Sequence, residues 1–209
     1  MELHLALSFL GASILLSLMP GPDNIFVLTE SLTKGHKNGI AISIGLSLGV
    51  LIHTLAAATG LSFIIQKSAL AFSVVKYLGA LYLFYLAYKA TKDNQSDVKI
   101  ELNQTPQNNS ISALIKKGLF MNVLNPKVAL FFIAFLPQFV SKTGYNITLQ
   151  MIFLGIIFML QAFVIFSLIA LLSARLTPYL HNQRFWNITK WSRVGVLGSL
   201  GLALMLSKK

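Results

Sequence analysis

The chain has 209 residues, 55% of them hydrophobic and 11% charged, and its mean hydropathy is +0.70. A water-soluble domain carries roughly 25% charged residues, so a soluble enzyme or binding domain is excluded and lipid must solvate most of this surface. The formal net charge of +11 does not mark a nucleic-acid partner, because Lys and Arg gather at the ends of apolar blocks, while the lack of cysteine removes disulfides, thiolate metal sites and a catalytic thiol.

The apolar blocks are long enough to cross a bilayer, which takes roughly 17–25 helical residues. The segment Met1-Glu2-Leu3-His4 lacks a basic n-region and a small-residue cleavage site, which predicts a retained first span rather than a signal peptide. That span covers residues 3–33 and is interrupted at Pro20-Gly21-Pro22. The second covers 39–65 and the third 69–90. Residues 91–110 are rich in Asn, Gln, Lys and Asp without apolar period, the pattern of a solvated linker. The fourth span covers 112–140, interrupted at Asn125-Pro126, and the fifth 147–173. Residues 174–193 mix Arg175, Arg184, Lys190 and Arg193 with Tyr179, Trp186 and Trp191, a mixture suited to the headgroup level. The sixth span, 190–206, is near the lower length limit.

The linker therefore divides the chain into a first half (1–91), a polar connection (92–110) and a second half (111–209), with three spans in each half. Each half opens with a span broken by proline, Pro22 or Pro126, and has glycine in its second span, Gly45 and Gly49 against Gly155. An odd number of spans per half forces the halves to enter the membrane from opposite sides. The expected fold is an all-α integral membrane protein of six transmembrane helices, a 3+3 inverted repeat with broken first and fourth helices. With the N-terminus outside, Lys34, Lys37, Lys89, Lys92, Lys99, Lys116, Lys117, Arg175, Arg184, Lys190 and Arg193 lie inside, against Lys67, Lys142, Lys208 and Lys209 outside. The positive-inside rule then places both termini outside.

Proline inside a helix removes a backbone hydrogen bond and costs roughly 3 kcal/mol. In hydrocarbon the freed groups must be satisfied within the protein. Broken spans at matching positions of two halves therefore point to a transport site, although for Pro126 alone an ordinary proline kink fits equally well. In both breaks proline suits the first position of a new half-helix, with Gly21 or Asn125 as its cap. Overlaying Pro22 on Pro126 sets Asp23 against Lys127. Asp23 is the only acid deep in an apolar block, and a buried charge costs at least about 2.5–3.5 kcal/mol on insertion scales. Asp23 and Lys127 are expected to face each other, holding one another when empty and a zwitterion's ammonium and carboxylate when loaded; the alternative is a permanent ion pair fixing the halves together.

Lys76 is a second intramembrane cation, able to pair with Asp23 or to snorkel to an interface. His53 lies mid-span and suits either proton relay or a satisfied core position. Asn24, Asn122, Asn125 and Gln161 are neutral polar groups in apolar runs, suited to lining a cavity or bridging helices. Gly45 and Gly49 suit close helix packing. An intramembrane aspartyl protease needs two acids where only Asp23 is available, and His53 has no nucleophile motif beside it. His4, His36, His53 and His181 lack ligand spacing, and no Walker-type loop is present, so no metal, cofactor or ATP is expected. A structural or sensory membrane subunit would leave the paired breaks and buried charges unexplained.

Several stretches carry a family resemblance: Pro20-Gly21-Pro22-Asp23-Asn24, Lys76-Tyr77-Leu78-Gly79-Ala80-Leu81-Tyr82-Leu83, Gly118-Leu119-Phe120-Met121-Asn122-Val123-Leu124-Asn125-Pro126-Lys127, and Phe135-Leu136-Pro137-Gln138-Phe139. The chain resembles the LysE/RhtB superfamily of amino-acid exporters, in its RhtB-like branch. The resemblance implies a bacterial cytoplasmic (inner) membrane protein that exports small amino acids or derivatives, such as threonine, homoserine or leucine, in exchange for protons. It implies Lys76, Asn122, Asn125 and Lys127 as site residues, and nothing in it opposes a homo-oligomer. The sixth span departs from the family pattern at Arg193 and Gly195, so no role is carried onto Arg193.

Overall fold

The computed structural model describes residues 2–61, 68–92, 110–141, 146–180 and 182–207, and every element among them is helical. Most of the predicted linker, with the basic residues at 67, 99, 142, 208 and 209, lies outside the described residues. In chain order the elements are α1 (Leu3–Leu18), α2 (Pro22–Lys34) and α3 (His36–Ala56), which runs on as a π-helical turn over Ala57–Leu61. Next come α4 (Ala69–Lys92), α5 (Ile111–Val123) and α6 (Pro126–Leu130), the last continued by a π turn at Phe131–Phe135 and a 3-10 turn at Leu136–Phe139. Finally α7 (Ile147–Leu171), α8 (Ser173–Leu180) and α9 (Gln183–Leu206) close the chain.

Local chemistry sets the boundaries. Ser110 and Asn146 accept the Ala113 and Thr148 N–H groups as N-caps of α5 and α7. Gly35 turns the chain between α2 and α3 at φ 91°, in the left-handed region that favours glycine. The last helix begins earlier than hydropathy placed it: the Asn182 side chain accepts the Arg184 N–H, so α9 starts two turns before Lys190 and takes in part of the predicted headgroup segment.

Three of these helices, α3, α4 and α7, are long and apolar enough to cross a membrane, and counting each bent pair as one span raises the number to five. The bends are 57° between α1 and α2 and 51° between α5 and the segment from Pro126. α9, with Arg184, Lys190 and Arg193 in its first half, is not among the candidates. Many large apolar side chains point outward, Leu70, Leu81, Leu149 and Leu160 among them, where lipid would cover them.

The helices interleave across the two halves. α3 packs along α5 and α7, α1 and α2 pack on α7, and α4 packs along α9. Each broken span thus lies against the second span of the opposite half. Without a hydrophobic drive between helices in lipid, such contacts depend on small residues that let backbones approach. Gly45 meets the Ile115 carbonyl and Leu119 N–H of α5, and Gly118 meets the Ile42 carbonyl and Leu46 N–H of α3. Gly49 lies against Asn122, and Gly155 of α7 lies against Thr54. Beside this crossing an aromatic cluster fills the interior, with Phe131 at 5.7 Å from Phe9 and 5.5 Å from Phe158 between ring centres.

A methyl group added at Gly45 or Gly118 would meet backbone that cannot swing aside. Gly45→Ala and Gly118→Ala should each destabilise the protein by about 1–3 kcal/mol. Gly195→Ala, where a methyl group meets nothing within 4 Å, should be neutral; thermal unfolding in detergent measures all three.

Candidate functional site

The interleaved packing brings the two breaks together. In the first, Gly21 is the N-cap of α2, Pro22 its first residue and Asp23 the acid of its first turn. In the second, Asn125 is the N-cap of α6, with Pro126 first and Lys127 next. Proline costs nothing at these positions because the N–H it lacks would have no helical partner. Pro20 lies between the two half-helices of the first span.

Four carbonyls at the C-terminal end of α1 find partners, one locally and three across the break. Leu15 accepts the Met19 N–H at 3.1 Å. Ser17 accepts the Asn24 side-chain amide at 2.8 Å. The Lys127 ammonium, from the opposite half, donates to the carbonyls of Leu16 at 3.2 Å and Met19 at 3.4 Å. A cation at this end also meets the negative pole of the helix dipole. Gly21 lines the same spot, since a methyl group there would stand 3.6 Å from the Lys127 Nζ.

The second break is served in the same manner. Asn125 turns its Oδ1 to the Lys127 backbone N–H at 3.0 Å, closing the α6 N-terminus, and its Nδ2 donates to Asp23 Oδ2 at 2.7 Å. The Asn122 carbonyl, near the end of α5, accepts the Asn125 N–H at 2.9 Å and the His53 Nε2–H at 3.1 Å. That bond fixes the His53 proton on Nε2, because a carbonyl can only accept. The His53 ring also stacks on Phe132, 5.9 Å between centres.

The charges are therefore exchanged rather than paired. Lys127 serves the break of the first half, while Asp23 is held by the cap residue of the second. No ion pair joins the two directly, contrary to the expected contact in the empty protein; Asn125 bridges them, one end on each residue. The bare carbonyls of α1 are the reason, since an ammonium set elsewhere would leave them without donors. Asp23 and Asn125 are almost wholly buried, at 2% and 6% exposure, while Lys127 is partly exposed.

Of the other predicted site residues, Asn24 and Asn122 are buried at the breaks. Lys76 is not at this junction: it donates to the Ser207 carbonyl at 2.9 Å and lies 4.8 Å from the Tyr77 ring centre, capping the C-terminus of α9. Gln161, expected to line a cavity or bridge helices, joins the first break with Ser17: from α7 it donates to Ser17 Oγ at 2.9 Å and to the Ser13 carbonyl at 3.4 Å. Ser17 carried no signal, because its role depends on a carbonyl position that only the bend creates. The buried oxygens Asn24 Oδ1, Asn122 Oδ1 and Gln161 Oε1 accept no hydrogen bond among the described residues. The breaks thus hold spare side-chain acceptors beside Asp23.

A helical membrane protein with two bent spans meeting over one buried acid has the architecture of a membrane translocator, and the chain's relatives agree. Residues 14–208 match the model of the LysE type translocator family, and the chain belongs to that family. It is a transporter rather than an enzyme. It is 30% identical to an uncharacterised membrane protein of Bacillus subtilis over 98% of this chain and 100% of the relative. It is 31% identical to a homoserine/homoserine lactone efflux protein of Salmonella typhimurium, covering 85% and 84% of the two chains. Against a leucine efflux protein of Klebsiella pneumoniae the identity is 28%, covering 85% and 83%. No solved structure matches the chain.

The Asn125 bridge can be tested by exchange. Asn125→Ala removes a helix cap and the partner of a buried carboxylate and should cost about 1–3 kcal/mol. Asn125→Asp sets a second carboxylate against Asp23 and should cost more. Combining Asn125→Asp with Asp23→Asn restores one acid and one amide, and thermal unfolding should recover most of the loss.

Proposed function

We propose that this protein exports small neutral amino acids or close derivatives, of the threonine, homoserine or leucine kind, across a bacterial cytoplasmic membrane in exchange for protons. The reading rests on one observation above the others: the breaks of two spans are closed by each other's side chains, Lys127 on the α1 carbonyls and Asn125 on Asp23. The names of the Salmonella and Klebsiella relatives support the solute class.

In this reading the described geometry is the empty, closed state. A zwitterion offers in one molecule the charges that Lys127 and Asp23 lend to the breaks. Its ammonium would bind Asp23 and the spare amide oxygens of Asn24 and Gln161, filling acceptors that are costly to leave unmet. Its carboxylate would bind Lys127 and the first-turn N–H groups of α2, drawing the ammonium off the α1 carbonyls. Loading the site therefore weakens the contacts that latch the halves together, which couples binding to their relative movement. Asp23 takes a proton when no ammonium is present, giving exchange of one for the other, with His53 as the candidate relay. Lys76 has a supporting place, holding the last helix.

We further propose six spans in a 3+3 inverted repeat, with both termini outside. The packing supports this: α1 and α2 lie on α7 as α5 and α6 lie on α3, and the pairs α3–α7 and α4–α9 join equivalent members of the halves. Ser141 donates to Glu2 Oε1 at 3.3 Å, which sets the N-terminus and the end of the fourth span on one side. Because the chain has no cysteine, the topology is open to labelling. An impermeant thiol reagent applied to intact cells should modify Glu2→Cys, and should reach Lys37→Cys and Lys92→Cys only in inverted vesicles.

Cells fed dipeptides of each amino acid, with and without the protein, measure the function. Efflux of a small neutral amino acid should rise several-fold with the protein present and fall when the proton gradient is collapsed. Asp23→Asn keeps a group able to bond Asn125 but removes the charge, and should cut efflux at least tenfold at an unchanged amount of protein in the membrane. Preserved efflux with lost stability would instead make Asp23 part of a fixed strut.

A further inference from the structure

α2 carries a second acid that the exchange mechanism does not use. Glu30 is 7% exposed and lies on the buried side of α2 with Asp23, Asn24, Val27, Leu28 and Ser31. It stands seven residues after Asp23, two helical turns and roughly 10 Å along the axis, on the same face. Glu30 Oε1 accepts the Lys34 ammonium at 2.9 Å. Among the described residues this is its only partner, and Oε2 takes none, although a carboxylate can accept about four hydrogen bonds. Apart from Glu2 at the N-terminus, Asp23 and Glu30 are the only acids among the described residues.

An ordinary i,i+4 pair on a helix surface would be exposed and worth a few tenths of a kcal/mol. This pair is largely covered, with side chains 9% and 12% exposed, where α2 packs against α3, α7 and α8. With the N-terminus outside, this end of α2 faces the cytoplasm, the side that also carries Lys37, Lys117 and Arg175 by the positive-inside count. Lys117 is occupied over the Phe26 ring at 4.2 Å, between the two acids along α2. Among the described residues at this end, Glu30 is the only acid that a solute's ammonium arriving from the cytoplasm can meet.

We propose that Glu30 is an outlying ammonium site, the first station on the path to Asp23, and that Lys34 is its tethered occupant, displaced when an amino acid arrives. The proposal rests on the export reading and adds to it a residue that sets affinity from the cytoplasmic side. A purely structural pair would serve equally well with its charges reversed; a binding station would not, because the carboxylate would move a full turn toward the helix end.

Inverted membrane vesicles, whose cytoplasmic face is outward, allow uptake of labelled L-homoserine to be measured against its concentration. Glu30→Gln should raise KM about tenfold with kcat within twofold, the mark of lost ground-state binding. Lys34→Gln should lower KM several-fold by vacating the station, a change in the opposite direction that a structural pair does not produce. The doubly reversed variant, Glu30→Lys with Lys34→Glu, should keep the high KM of Glu30→Gln. A working exporter whose KM ignores Glu30→Gln, or one whose wild-type KM returns on charge reversal, overturns this proposal alone. Vesicles of the unaltered protein that accumulate none of the neutral amino acids overturn the export reading, and this one with it.

Discussion

A helix that stops inside hydrocarbon leaves carbonyls that neither water nor lipid can satisfy, and the rest of this structure follows from how those groups are met. Each unsatisfied group costs several kcal/mol in lipid. At the end of α1 the donors come from Asn24, one turn into the next helix, and from Lys127, on the far half of the chain. The first span can therefore be completed only when the second half has folded against it. The converse holds as well, since the Asn125 amide of the second break donates to Asp23 of the first. Mutual completion makes the two bent spans a single cooperative object, each closed by side chains of the other.

That arrangement accounts for why the charges cross over. A direct pair between Asp23 and Lys127 would satisfy both charges and leave the α1 carbonyls bare. Routing the ammonium to the carbonyls and the carboxylate to the amide satisfies three groups with the same side chains, and Asn125 completes the circuit through its two ends. The glycines make this reach short enough. Gly45 and Gly118 let α3 and α5 touch backbone to backbone, which holds the end of α5, and so Asn122 and Asn125, close to α3 and its His53. Small residues on one pair of helices thereby set the hydrogen-bond geometry at another.

Much of this was legible in the sequence, and the limits of legibility have physical causes. The breaks could be read because proline and its caps act locally: Pro22 and Pro126 each fix their own φ and need a partner within one or two residues. The close packing at Gly45 could be read because four-residue spacing defines a helix face. Long-range partners could not. Lys127 looked like the mate of Asp23 because opposite charges attract, and nothing local reveals that the Leu16 and Met19 carbonyls take the same ammonium. Lys76 looked equivalent to Lys127, both being lone cations in apolar blocks, yet it caps the end of α9, whose position depends on packing along α4. Glu30 looked peripheral because it lies near the end of its apolar block; helix packing, not hydropathy, buries it.

The same reasoning separates what holds the protein together from what lets it work. An ion pair or hydrogen bond that only fixes the halves should be as fully satisfied as its surroundings allow. Here the satisfied groups are the backbone ends, while the amide oxygens of Asn24, Asn122 and Gln161 are buried acceptors that take no hydrogen bond among the described residues. Evolution of a rigid strut would remove such acceptors, since replacing an unmet polar group by an apolar one of the same shape is close to neutral or favourable. They lie on α2 or near it, close to the acids Asp23 and Glu30, the only ones in the described helices, and such acceptors suit donors from elsewhere. A primary ammonium, with three N–H groups and a positive charge, is the small group that answers that demand most fully, and this ties the backbone accounting at the breaks to the class of solute we propose.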